Sequence, residues 1–153
     1  MEPRRTGWRS LPTARPRIIA PPSLRLRNPW PMSSRTESGA AGEEYVAGWL
    51  SRQGYRVIGR NVRYRGGELD IVAVDGDELV FVEVRVRTGL RYGSAAESVD
   101  ARKLATLMRT AEQYRERQPD VAEMIWRVDL VAITLRPNGS VASLDHHQNL
   151  TLD

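Results

Sequence analysis

The sequence predicts a layered α/β domain over residues 37–145, with helices packed against a sheet. Three observations predict it. Segments 68–74 and 79–87 read as strands apolar on both faces, separated by the turn-rich Asp75-Gly76-Asp77-Glu78. Helical patterns lie on either side of them, at 39–54 and 100–117. A further apolar strand pattern follows at 128–135.

Residues 1–36 carry seven of the nine prolines and eight arginines against one glutamate, with neither a helical nor a strand period. Such a segment is expected to be disordered. Arg4-Arg5 is not followed by an apolar core segment, so neither a twin-arginine signal nor a transit peptide is favoured. Met32 is an alternative start, because order-compatible sequence begins just after it. The remaining residues hold 15 basic and 18 acidic side chains, so the net charge of +4 belongs to the tail and says little about the folded part.

Within the domain, Ser38 suits an N-cap, Ala47 and Leu50 an inward helix face, and Gly54 the helix end. Segment 55–58 reads as a short strand. Asp100 suits the N-cap of a second helix whose Ala101, Leu104, Ala105, Met108 and Ala111 recur at core spacing. Pro137-Asn138-Gly139 is a turn leading to a short last strand at 141–144, and 146–153 reads as a polar C-terminal tail that includes His146-His147. A mass of 17.3 kDa fits one domain. The absence of cysteine excludes disulfide frameworks and thiolate zinc sites, and a reducing cytoplasm fits it. No apolar run is long enough to span a bilayer.

If Gly76 and Asp77 are the two central residues of a hairpin turn, the register follows. Val74 then faces Leu79, Val72 faces Phe81, Asp70 faces Glu83 and Glu68 faces Arg85, all on one face. Leu69, Ile71 and Ala73 occupy the other face with Val80, Val82 and Val84. A hairpin apolar on both faces belongs in the middle of a layered domain. One face nevertheless ends in charge, and opposed carboxylates roughly 4.5 to 5.5 Å apart at Cβ repel each other. Two readings fit: a hard divalent cation, Mg²⁺ above all, held between Asp70 and Glu83, or a salt-bridged strand end formed by Glu68, Asp70, Glu83 and Arg85.

The runs Gly67-Glu68-Leu69-Asp70-Ile71-Val72-Ala73 and Leu79-Val80-Phe81-Val82-Glu83-Val84-Arg85-Val86-Arg87 resemble the signature of the YraN-like bacterial proteins. The resemblance extends through Gly42-Glu43, Gly54-Tyr55, Arg60-Asn61, Tyr92-Gly93, Glu97-Ser98-Val99, Lys103 and Arg127-Val128-Asp129, covering about residues 39–135. It implies a restriction-endonuclease-like three-layer core with a mixed central sheet, related to Holliday-junction resolvases. It also implies a PD-(D/E)xK-type site, with Glu43, Asp70 and Glu83 as ligands to Mg²⁺ or Mn²⁺, position 85 as the basic residue and Glu68 beside them. Here Arg85 stands where that pattern has lysine, and Val86 where it has threonine. Arginine keeps its proton at neutral pH, so it can hold a phosphate oxygen or position a water but cannot act as a general base.

Arg52, Arg56, Arg60, Arg63 and Arg65 occur with no acid between 51 and 67, and Arg85, Arg87 and Arg91 follow the acidic site. Phosphate contact is expected from Arg60, Arg63, Arg65 and Arg87, and from Lys103, the single lysine, as a phosphate contact or a substitute for the missing one. Tyr64 and Tyr92 are candidates for base stacking. The expected function is a Mg²⁺-dependent endonuclease on branched, distorted or single-stranded DNA. The resemblance to resolvases allows a homodimer, although no exposed apolar stripe in the sequence demands one. The alternative is a nucleic-acid-binding module of the same fold without turnover. A protein-interaction role has no positive feature in the sequence.

Overall fold

The computed structural model describes residues 35–89 and 99–150. Residues 1–34 of the tail read at 1–36, and Arg91, Tyr92 and Glu97-Ser98, lie outside the described residues, whereas Arg35 and Thr36 of that tail belong to the first helix. Helix α1 (Arg35–Arg52) leads into strands β1 (Arg56–Tyr64), β2 (Gly67–Asp75) and β3 (Glu78–Thr88). Helix α2 (Ala101–Arg117) then leads through a short 3-10 turn into β4 (Ile125–Leu135) and β5 (Val141–His147). The five strands lie side by side in sequence order. Pairs β1–β2, β2–β3 and β4–β5 are antiparallel and β3–β4 is parallel, so the sheet is mixed. Parallel neighbours need a crossover, and α2 supplies it.

Two apolar clusters fill the two sides of the sheet. Val46, Trp49 and Leu50 of α1 pack with Ile71, Ala73, Val80, Val82, Val131 and Ile133. Leu104, Leu107, Ala111 and Tyr114 of α2 pack with Val72, Val74, Leu79, Phe81 and Val128 on the other side. The result is the three-layer α/β architecture predicted, helix on sheet on helix. Leu50 and Ile71 are fully buried, and each contributes about 1.5 to 3 kcal/mol.

The hairpin register is the predicted one: Val74 pairs with Leu79, Val72 with Phe81, and Asp75 with Glu78. Of the two central turn residues only Gly76 has a positive φ, 61°, the pattern of a type II′ hairpin turn. The ladder stops at Ile71 and Val82, whereas β2 stays paired with β1 to Gly67 and β3 with β4 to Thr88. Strands β2 and β3 therefore part into a fork just where the charged residues begin.

Several expectations change. Helix α1 starts at Arg35, so Ser38 lies inside it and is not its N-cap. Strand β1 runs on to Tyr64, well past the short strand expected at 55–58, and carries Arg56, Arg60 and Arg63. A register shift near Gly59 and a left-handed Asn61 (φ 49°) hide its two-residue period. Leu69 lies in the α2-side cluster with Val72, not with Ile71 and Ala73, because alternation breaks opposite Asn61. The core face of α2 is rotated: Leu107, Thr110 and Tyr114 are buried, while Ala101 and Ala105 are exposed. Strand β5 continues to His147, and the Leu150 N–H donates to the Val128 carbonyl at 2.8 Å, so the segment read as a tail from 146 is docked to the sheet.

The start of β2 leans closely on α2. A Cβ at Gly67 would stand 1.9 Å from Thr110 Oγ1, itself fixed by donating to the Thr106 carbonyl at 2.7 Å. Gly67→Ala is therefore expected to cost about 1 to 3 kcal/mol in urea unfolding, with part recovered by adding Thr110→Ala. A loss under roughly 0.5 kcal/mol, typical of an unconstrained surface site, would contradict the close packing.

Candidate metal and phosphate site

Three elements meet at the fork. Strand β2 brings Glu68 and Asp70, β3 brings Glu83, Arg85 and Arg87, and α2 brings Lys103 from its first turn. The predicted Asp100 cap accepts a hydrogen bond from the Lys103 backbone N–H at 2.8 Å, which anchors the helix start beneath that lysine.

Asp70 uses one oxygen to repair the broken ladder. Its Oδ2 accepts from the Val84 N–H at 2.9 Å, so the backbone group freed by the fork is not orphaned. Glu83 is only 4% exposed. Its Oε1 is 3.2 Å from Arg85 Nη2 and also 3.2 Å from Lys103 Nζ. Its Oε2 is buried and has no hydrogen-bond partner among the described residues. Burial, then repulsion from Asp70, pushes the Glu83 carboxyl up to about 7, against the pull of Lys103 and Arg85. Burial likewise raises Asp70 and Glu68 adds to it, although the Val84 N–H, Lys103 and a hydrogen bond between the Asp70 and Glu83 side chains oppose it.

Glu43 stands on α1 and is also raised, by burial first and then by Asp70, with Asn61 and Arg60 offsetting part of the effect and Glu68 adding to it. It is thus electrically joined to Asp70. Among the described residues, however, no three acidic or histidine side chains gather as a ready-made metal cage. Mg²⁺ does not need one: it is commonly held by one or two carboxylates and keeps several waters. The Asp70–Glu83 pair fits that requirement, because the two carboxyls stand against each other with raised pKa values and Glu83 Oε2, a hard oxygen donor, meets no cation among the described residues.

The expected pairing of Glu68 with Arg85 does not form. Glu68 instead meets Arg63 of β1, at 3.2 Å, because β2 remains paired with β1 beyond the fork and no longer with β3. Arg60, Arg63 and Arg65 are exposed on the edge strand and its turn, whereas Arg85 and Arg87 are half-buried on β3. The Arg117 guanidinium covers the Tyr64 ring at 4.8 Å, so that ring has a cation on one face already. Asn61 was not singled out as a site residue; its signal was an asparagine, a residue that tolerates left-handed φ, inside an arginine-rich run.

A second polar centre lies on the α1 side. Asp129 is fully buried and accepts from Arg127 Nε at 3.1 Å and from the Asn149 N–H at 2.9 Å, with His146 Nε2 at 2.9 Å. Arg127 also reaches Asp75 at 3.1 Å, the Tyr55 hydroxyl at 3.2 Å, and Glu78. The His146 ring packs edge-on against Trp49, with centroids 5.6 Å apart. His146 is thus part of the folded domain rather than of a polar terminus.

Fold and site together define a three-layer α/β domain with a half-buried acidic centre where its central strands part. The model of the Uncharacterised protein family UPF0102 matches residues 42–133, and the chain belongs to that family, the YraN-like group of the sequence resemblance. It is 44% identical over 111 residues to a UPF0102 protein of Pelotomaculum thermopropionicum, covering 72% of this chain and 92% of the relative. It is 46% identical over 101 residues to one of Symbiobacterium thermophilum, covering 66% and 85%. It is 42% identical over 115 residues to one of Pseudomonas savastanoi pv. phaseolicola, covering 75% and 93%. Among solved structures it is similar to Pyrococcus furiosus SfsA in complex with Ca²⁺, with 15% identity and a TM-score of 0.35 over 74% of this chain and 64% of that one. Among the described residues no helix is long and apolar enough to cross a membrane.

Proposed function

We propose that this protein is a divalent-cation-dependent endonuclease that hydrolyses phosphodiesters in branched or otherwise distorted DNA. The observation that carries the reading is the close pair of carboxyls Asp70 and Glu83, both raised in pKa, in which the buried Glu83 Oε2 meets no cation and no backbone N–H among the described residues. Two carboxyls held this close must share either a proton or a cation. Held by Asp70 and Glu83, Mg²⁺ or Mn²⁺ would supply activation of water and stabilisation of charge on the phosphate during in-line attack. The chain's own groups do the rest. Asp70 is fixed by the Val84 N–H, so its remaining oxygen is held in one place. Glu43 adds negative charge from α1, and Arg85 offers a planar donor set to a phosphate oxygen. Arg60, Arg63, Arg65 and Arg87 give the salt-dependent grip on the backbone.

A second reading keeps the binding and drops the turnover, and Arg85 favours it, because no lysine follows Glu83 on β3. The two separate in one experiment: a Mg²⁺ or Mn²⁺ titration with single-stranded, duplex, flap and four-way DNA, scored for binding and for cutting. The nuclease reading predicts cutting of at least one structure, and a loss above about 100-fold in Asp70→Asn with binding kept. Salt-sensitive binding with no cutting at any metal concentration would select the second reading. Equal cutting by Asp70→Asn would remove the site.

A further inference from the structure

The geometry points to Lys103 as the residue that brings to this site, from α2, the ammonium group that β3 does not provide. The inference deepens the nuclease reading and rests on it. Lys103 Nζ and Arg85 Nη2 converge on the same oxygen, Glu83 Oε1, each at 3.2 Å, leaving Oε2 with no cation among the described residues and the Asp70 carboxyl beside Glu83. Two cations on one oxygen are more than a simple ion pair requires, and both side chains keep about a third of their surface open, 36% for Lys103 and 35% for Arg85.

The two cations are not equivalent. A guanidinium is a planar fork, and with Nη2 on Glu83 and Nε buried, the Arg85 fork is committed in one direction. An ammonium is a compact point charge with three donors. One of them is directed at Glu83, and the others remain for a phosphate oxygen or for the attacking water. Position is fixed from below, because the Asp100 carboxylate caps the helix through the Lys103 backbone N–H. Lys103 therefore contacts the reacting phosphate or its nucleophile, while Arg85 steadies Glu83 and the neighbouring phosphate oxygens. The role needs only charge and donors, and it places no demand on proton exchange by the lysine.

Lys103 is the only lysine in the chain, so protein made with ¹³Cε-labelled lysine gives a single side-chain NMR signal. Mg²⁺ alone is expected to move that signal saturably in the wild type and not in Glu83→Gln. In cutting assays Lys103→Met is expected to lower kcat about 100-fold, the scale of a lost transition-state donor, while DNA affinity falls far less, by about threefold or under. Adding Arg85→Lys to Lys103→Met restores cutting by at least roughly tenfold, a rescue that a merely structural ion pair would not give. Lys103→Arg, which keeps the charge, guards against loss of folding and retains more activity than Lys103→Met. A lysine signal unmoved by Mg²⁺, cutting by Lys103→Met at the wild-type rate, or a loss confined to DNA affinity overturns the inference and leaves the nuclease reading standing. A wild-type chain that cuts no DNA overturns both.

Discussion

Glu83→Gln is expected to make the metal-free protein more stable while removing its activity. The sign follows from proton linkage. In the folded chain the carboxyl sits at about 7, above its ordinary 4.5. Between those values the folded form keeps a proton that the unfolded form has released, so stability falls as pH rises through that window and stays low above it. A shift of this size corresponds to at most about 3 kcal/mol, and structural relaxation reduces it, so a gain of about 1 to 3 kcal/mol is expected at pH 8. The gain should vanish below about pH 3.5, where both states are largely protonated. Gln also leaves Lys103 and Arg85 without their anion, but both reach solvent, which limits that cost. Urea unfolding with a chelator at pH 5 and pH 8 measures it. A variant less stable than the wild type at pH 8 would mean that Glu83 is a structural partner of its two cations rather than a strained ligand. Stabilisation joined to loss of function is the mark of a site maintained for chemistry.

Asp129→Ala is expected to have the largest effect on folding, a loss of about 3 to 5 kcal/mol, a large share of the stability of an ordinary domain. Burial works against the charge on Arg127, and Asp129 with Asp75 outweighs it and raises the guanidinium pKa. Removing Asp129 leaves that cation in a partly buried position and strips the anchor from His146 and from the Asn149 N–H. The C-terminal segment should then detach from β4. Because Leu130 pairs with Glu83 across the parallel ladder, loosening β4 also disturbs the strand that carries the site. Circular dichroism and urea unfolding test the prediction, and a loss under about 1 kcal/mol would show that the network is dispensable.

How much of this was legible in the sequence depended on whether the signal was local. The β2–β3 register was legible because a two-residue turn with glycine fixes pairing by arithmetic, and the Asp100 cap because a cap is a contact three residues long. The carboxylate pair followed from the register. The fork did not, since it depends on how β2 divides its pairing between two neighbours, and Glu68 consequently found Arg63 rather than Arg85. The length of β1 was masked by Gly59 and Asn61, whose backbone irregularity removes the alternation by which a strand is recognised. The Asp129 network was the least legible. Its members come from the Tyr55 segment, the hairpin turn, β4, β5 and the C-terminal residues, and no spacing in the chain links them. His146 looked like a solvated polar residue because its partner is 17 residues away.

The account depends most on Asp70 and Glu83 acting together on one divalent ion. Titration of Mn²⁺ into the DNA-free protein, followed by water-proton relaxation, reads that directly. One site is expected in the wild type, weakened by more than about 100-fold in Asp70→Asn and in Glu83→Gln alike, since each variant removes half of the carboxylate pair. Binding that survives unchanged in both variants, or no binding by the wild type at millimolar Mn²⁺, would contradict it.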